Sequence, residues 1–331
     1  MKKKCLLPIM KPDFICQNYI TCANSVVKAN AREYLDVLRC SKYVNCYFDK
    51  NDPKHHFVIS VFDHWCVEQK LMRFQFIDLL KEPYQKRKKD VANIIKKCLL
   101  QGSYILTQCN RTYFEETDDP NSMLFFCLLV GFDDETQTFT LYGKDLLDRF
   151  SCCQVKYQTF LDALFDTAES NIPFQLWSYN KKTVVTLDLP NLIFELEDYI
   201  YSTNRRKNAS ADNSYGLNAV KDLSCYFCET AKANSRVNEV YLHNFLMHKS
   251  FMKDRIKYLA EKEMVNEIWV ALAEQVFQMG KEIVEWGEEG NRSHDRSLIE
   301  KLVKKMHASI ELETNYLPEV LEELKKYHQT K

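Results

Sequence analysis

The chain has 331 residues, of which 46% are apolar and 13% aromatic, enough for a substantial core in one large domain or two ordinary ones. Only 7 Gly and 8 Pro exclude a linker-dominated, collagen-like or low-complexity architecture. Lys and Arg (45) nearly cancel Asp and Glu (46), so no field gathers a polyanion and nucleic acid is set aside as a partner.

The first residues, Met1 to Pro8, carry three lysines but too few apolar residues for a signal peptide. No run approaches the roughly 18 apolar residues that a membrane span requires. A cytoplasmic protein with no membrane partner is expected. Thirteen cysteines, an odd number that includes the adjacent Cys152 and Cys153, read as reduced and mostly buried thiols, not as a disulfide framework.

In chain order, Thr21 to Leu38 has the spacing of a first helix, with Val26, Val27, Ala29, Ala31, Tyr34, Leu35 and Leu38 recurring on one side. Residues 43–49 and 57–63 are short, aromatic and β-branched, as strands are. Residues 68–81 and 87–100 return to a helical period, and the basic run Lys86 to Lys89 is expected on a solvated face. Three strand-like runs follow, Ser103 to Cys109, Leu124 to Gly131 and Thr138 to Leu141. The acidic turns at 115–120 and 133–136 separate them, and the last two form an antiparallel hairpin. A further strand is expected at Phe174 to Trp177 or at Lys182 to Leu187.

Beyond Pro190 the pattern is helical, over 191–201, 215–230, 237–286, 297–313 and 317–327, with a polar loop at 202–214. The 237–286 stretch is too long for one ordinary helix and is expected to turn near His248 to Ser250 or bend near Lys262. These readings give an α+β fold with an α/β domain over 1–190 and a helical domain over 191–331.

The chemistry-bearing segment is Gln17-Asn-Tyr-Ile-Thr-Cys22, at the start of the first helix. A thiol at a helix N-terminus is pushed towards thiolate by the dipole. A side-chain amide just upstream can stabilise an oxyanion. The plainer account of Cys22 is a small apolar residue on a buried helical face.

Residues 102–107, 123–134 (ending in Gly131-Phe-Asp) and 138–143 together resemble the antiparallel sheet of papain-like proteins. They are similar to the butirosin biosynthesis protein H type and to bacteriocin-leader cysteine peptidases. Residues 241–259 resemble the helical second halves of uncharacterised bacterial proteins of this group. The resemblance implies a papain-like antiparallel sheet with a central helix. It further implies acyl or amide transfer in bacterial secondary-metabolite biosynthesis, through a cysteine nucleophile, on an acyl or peptidyl carrier protein and a small-molecule amine or acyl substrate. Cys22 matches the nucleophile and Gln17 the oxyanion amide. The general-base histidine is implied where Leu124 and Phe125 stand, and the orienting Asp or Asn where Tyr142 and Gly143 stand.

No histidine occurs between His64 and His243, so the ordinary triad is missing. Asp145 or Asp148 could replace the carboxylate, and His55, His56 or His64 could supply the imidazole. The chain is therefore expected to be an acyl- or peptidyl-transfer homologue with a degenerate triad. The alternative is a non-catalytic scaffold that binds a carrier protein or small molecule.

Cys225, Cys228, His243 and His248 fall near zinc-finger spacing, but continuous helix around the cysteines leaves no hairpin for a finger. Neither a metal nor another cofactor is expected. On the late helices Ile268, Leu272, Val276 and Met279 make an inward stripe, a packing or homodimerisation surface.

Overall fold

The computed structural model describes residues 3–12, 18–41, 44–50, 57–59, 72–77, 88–114, 124–144, 149–166, 174–205, 210, 212–233 and 235–331. They form two compact units, Met1–Leu35 with Trp65–Val185, and Asp36–His64 with Thr186–Lys331. The fold is mixed α+β, with antiparallel sheets and a helical C-terminal region.

The first unit is built on β1 (Lys4–Leu6), β4 (Met72–Ile77), β5 (Ser103–Asn110), β6 (Leu124–Asp133), β7 (Thr138–Lys144), β8 (Phe150–Lys156) and β9 (Phe174–Tyr179). Their order is β4-β9-β5-β6-β7-β8, with β1 also paired to β6 and every pairing antiparallel. The ladder shifts register between Leu129 and Gly131. Gly131 is required there, because a Cβ would stand 2.5 Å from the Cys5 carbonyl oxygen of β1.

Among the described residues three helices accompany this sheet, α1 (Asn18–Asn30), α3 (Lys88–Leu100) and α4 (Tyr157–Asp166). Val91, Ile95 and Leu99 of α3 and Phe160 and Leu164 of α4 bury themselves with Ile105, Phe125, Cys127, Leu129 and Leu141 of the strands. Each such side chain contributes on the order of 1.5–3 kcal/mol of burial, as an upper figure. α1 lies on the other face, where Asn30 and Ser25 reach the hydroxyls of Tyr104 and Tyr142.

The second unit holds α2 (Leu35–Ser41), α5 (Leu189–Ile200), α6 (Gly216–Lys232), α7 (Glu239–Glu261), α8 (Ile268–Ser293) and α9 (Arg296–Gln329). A three-stranded antiparallel sheet, ordered β10 (Asn213–Tyr215), β2 (Cys46–Asp49), β3 (Phe57–Ile59), joins them. Cys46, Phe48 and Phe57 enter the same core as Leu196, Leu223, Phe227, Leu242 and Leu317. Residues 36–64 therefore belong with the helices and not with the rest of the first 190 residues. A four-residue strand with alternating burial cannot stand alone, and these helices cover its apolar side.

Several elements differ from the sequence reading. The expected helix at 68–81 contains the strand β4 instead, paired over its six residues with β9. Its apolar residues at 72, 74 and 76 alternate with period two. The expected first helix is broken at Ala31, whose backbone (φ −153°, ψ 50°) is not helical, and resumes as a 3-10 turn and α2. The 237–286 stretch divides after Lys262, where Glu263 adopts a left-handed φ of +56°. The expected pair of helices at 297–313 and 317–327 is one continuous helix that passes through Pro318. Burial of Tyr316, Leu317, Val320, Leu321 and Leu324 outweighs the backbone hydrogen bond that Pro318 cannot make. Between the two candidate positions for a late strand, only Phe174–Tyr179 is one.

Candidate functional site

The sequence points to α1, whose backbone is described from Asn18. Cys22 is at least four residues into the helix, beyond the first turn in which the dipole acts strongly on a thiol. Its side chain is fully buried, as are Thr21, Ser25 and Val26 around it. One turn on, Ser25 bonds through its Oγ to the Thr21 carbonyl (2.9 Å) and to the Tyr142 hydroxyl (2.8 Å). Burial pushes the Tyr142 phenol up to about 12; the Ser25 bond works against the shift and nearby Cys22 adds to it. Farther along α1, Asn30 Nδ2 donates to the Tyr104 hydroxyl (3.0 Å), and that hydroxyl donates to the Pro8 carbonyl at 2.5 Å.

Of the positions to which the resemblance assigns a histidine and a carboxylate, Phe125 and Gly143 do not face α1, whereas Tyr142 does. In the β6–β7 ladder Leu128 opposes Tyr142 and Cys127 opposes Gly143. Successive side chains alternate between faces. Tyr142 points to α1, so Gly143, Cys127 and Phe125 point the other way. Phe125 and Cys127 are indeed buried with α3 and α4. A Cβ on Gly143 would stand 2.6 Å from the Phe125 ring, which fills that space. Restoring a histidine at 125 in this register would place it across the sheet from Cys22.

Among the described residues of the unit that contains Cys22 there is no histidine. Gln17, the two substitute carboxylates Asp145 and Asp148, and the three candidate histidines His55, His56 and His64 lie outside the described residues. The basic run at 86–89 likewise lies outside the described side chains.

The four residues with zinc-like spacing are not gathered. Cys225 is exposed and Cys228 half-buried on α6, whereas His243 on α7 pairs with Glu288 at 3.3 Å. His248 is fully buried, with its Nε2 2.9 Å from the Val44 carbonyl oxygen. Among the described residues no group of three or more His, Cys, Asp or Glu is arranged to hold a metal ion.

The first unit also carries an open cleft of about 640 Å³, within the usual size of small-ligand pockets. Pro8, Asn30, Gly102, Tyr104, Tyr179 and Lys182 are among its walls. Gly102, with φ +83°, ends α3 in a left-handed turn whose amide donates to the Leu99 carbonyl (3.0 Å). A Cβ at Gly102 would meet nothing within 4 Å, so the cleft wall is open at that point. Asn180 holds the opposite rim, accepting from the Lys182 amide (3.3 Å) and donating to the Thr183 hydroxyl (2.7 Å).

In the second unit lies a polar cluster that the sequence reading did not single out. Lys249 Nζ is 2.5 Å from Glu313 Oε2 and 3.0 Å from the Tyr199 hydroxyl, which itself donates to Glu313 Oε2 at 2.9 Å. The Lys249 and Glu313 side chains have no solvent exposure. Burial and the Glu313 carboxylate push the Tyr199 phenol well above its ordinary range. Close by, burial pushes the Cys46 thiol up to about 12, Lys249 opposing the shift and Glu313 adding to it. A signal for this cluster was present in the chain. Phe245, Lys249, Met252 and Ile256 share one helical face, as do Ile310, Glu313 and Leu317, so each ion interrupts an apolar stripe.

No model of a known protein family matches the chain, and a search of curated proteins likewise returns no match.

Proposed function

We propose that this chain is a non-catalytic member of the papain-like class, a binding protein for a small acyl or amine compound or for the carrier protein that bears it. The bacterial biosynthetic setting comes from the resemblance of residues 102–143 and 241–259. One observation carries the loss of catalysis. The Cys22 side chain is fully buried, and Phe125 and Gly143, two of the positions at which the resemblance implies the triad partners, belong to the opposite face of the sheet. Buried cysteines are inert, whereas catalytic ones sit in partly exposed, electropositive surroundings that a substrate can reach. The open cleft at Pro8, Asn30, Tyr104 and Lys182 supports the binding half of the reading.

Alkylation tests it. With iodoacetamide near neutral pH, among the described cysteines the exposed Cys152 and Cys225 are expected to label first, and Cys22 only after denaturation. The Cys22→Ala protein should bind an octanoyl-loaded acyl carrier protein, or free octanoate, as tightly as the parent does. Preferential labelling of Cys22, with an acyl-enzyme adduct that C22A cannot form, would return the protein to the thiol acyltransferases.

A further inference from the structure

α7 carries a row of polar side chains that bind the main chain of the inserted segment. Asn244, His248 and Arg255 are spaced by four and seven residues, so all three fall on one helical face. Asn244 Nδ2 donates to the Phe57 carbonyl (3.1 Å), and His248 Nε2 lies 2.9 Å from the Val44 carbonyl oxygen. Arg255 donates through Nε to the Cys40 carbonyl (2.8 Å) and through Nη2 to the Arg39 carbonyl (3.3 Å). These carbonyls belong to the last turn of α2, to the residue before Asn45, and to β3. The Arg255 guanidinium also meets the negative end of the α2 dipole. Asn45 completes the seat, its Oδ1 accepting from the Gly216 and Cys46 amides.

Of these three fasteners only the histidine titrates near physiological pH. Since Nε2 meets a carbonyl oxygen, it carries the proton, and Nδ1 is the bare nitrogen of a neutral ring. That Nδ1 is buried and meets no hydrogen-bond partner among the described residues. From its own helix the ring faces the cations Lys249 and Arg255. From α5 it faces the Tyr199 ring, 4.9 Å between centroids, and from α9 the Glu313 carboxylate is already engaged by Lys249. Burial first, then Lys249 and Arg255, depress the His248 pKa well below 6.5.

We propose that α7 is an acid-released latch: Asn244, His248 and Arg255 fasten the end of α2, Val44 and β3 to the helices, and protonation of His248 loosens them. The closed form holds the ring neutral. An opened form, with the ring in water, takes up a proton with a pKa near 6.5. The sign follows from linkage. The closed state is fully favoured above about pH 6.5, and the opening equilibrium rises by up to roughly tenfold for each unit below it. Between about pH 7.5 and 5.0 the population of the opened segment should grow roughly thirtyfold.

Hydrogen exchange of the full chain, read by mass spectrometry and corrected for the intrinsic pH dependence of exchange, measures this opening. The expected result is a selective acid-induced rise in peptides covering 44–49 and 57–59, with the buried middle of α9 keeping its protection. His248→Gln, which keeps a donor for Val44 and removes the titration, should flatten the response. Asn244→Ala should raise opening of 57–59 at both pH values and leave the pH response intact, which preserves the test should H248Q not fold. The latch is overturned by a wild-type segment indifferent to pH, by a response spread equally over α9, by H248Q responding as the parent does, or by N244A leaving 57–59 unchanged.

Discussion

Replacing Glu313 with leucine would leave the Lys249 ammonium in a fully enclosed site, with the Tyr199 hydroxyl as its remaining polar neighbour in the cluster. A buried charge stripped of its partner destabilises by about 3–5 kcal/mol, and a phenol left without its acceptor adds about 1 kcal/mol or more. The expected cost of E313L is therefore about 4–6 kcal/mol. Lys249→Met, which strands the carboxylate but leaves it the Tyr199 hydrogen bond, should cost about 3–5 kcal/mol. The double variant K249M/E313L removes both ions and fills the space with apolar groups. It should lose less than about 2 kcal/mol, mostly the unsatisfied Tyr199 hydroxyl. Urea titrations followed by far-ultraviolet ellipticity report mainly on the helical unit and give all three values near neutral pH. Simple addition of the two single losses in the double variant would refute the pairing, since residues that share one interaction must couple. A loss below about 1 kcal/mol for E313L would show that water reaches the pair.

Two further contrasts probe local geometry. Gly216 and Gly102 both adopt positive φ, at +57° and +83°, but a Cβ at Gly216 would run into the Tyr199 carbonyl, whereas one at Gly102 meets open space. Gly102→Ala should cost only the left-handed backbone penalty of about 1–2 kcal/mol, and Gly216→Ala well over about 3 kcal/mol, as differences in thermal midpoint would show. Tyr142→Phe should destabilise the first unit by about 1 kcal/mol through the lost Ser25 hydrogen bond. Because the folded phenol titrates at about 12 and an unfolded one near 10, Tyr142 holds stability that is complete below about pH 10 and lost as pH rises towards 12. Ultraviolet titration of tyrosinate in Y142F should lack that late-ionising component.

Much of the sheet was legible in the chain. The apolar run from Leu124 to Gly131, the acidic turn at 133–136 and the alternation after it predicted the β6–β7 hairpin, and the pairing of Asp133 with Thr138 closes it. Strand β4 was misread because Met72 with Phe76, and Phe74 with Ile77, also fit a helical spacing; β9 supplies the hydrogen-bonding partner that decides for the strand. The helix break after Lys262 was one of two sites left open by the length of the 237–286 pattern, and the left-handed Glu263 selects it. At the thiol, the sequence could name Cys22 as a residue at helical spacing with apolar neighbours. It could not say which face of the sheet positions 125 and 143 would occupy.

By itself the chain determined its class: an antiparallel α/β first half, a helical second half, and no helix among the described residues long and apolar enough to cross a membrane. Those features depend on local periodicity, which neighbouring residues carry without help. Tertiary structure alone decided that residues 36–64 leave the first half to join the helices, that Lys249 meets Glu313, and that Phe125 and Gly143 turn away from Cys22. Each of those outcomes depends on a partner tens to hundreds of residues distant. For such a pairing the free energy comes from desolvating both members together, and neither residue's own surroundings in the sequence record it.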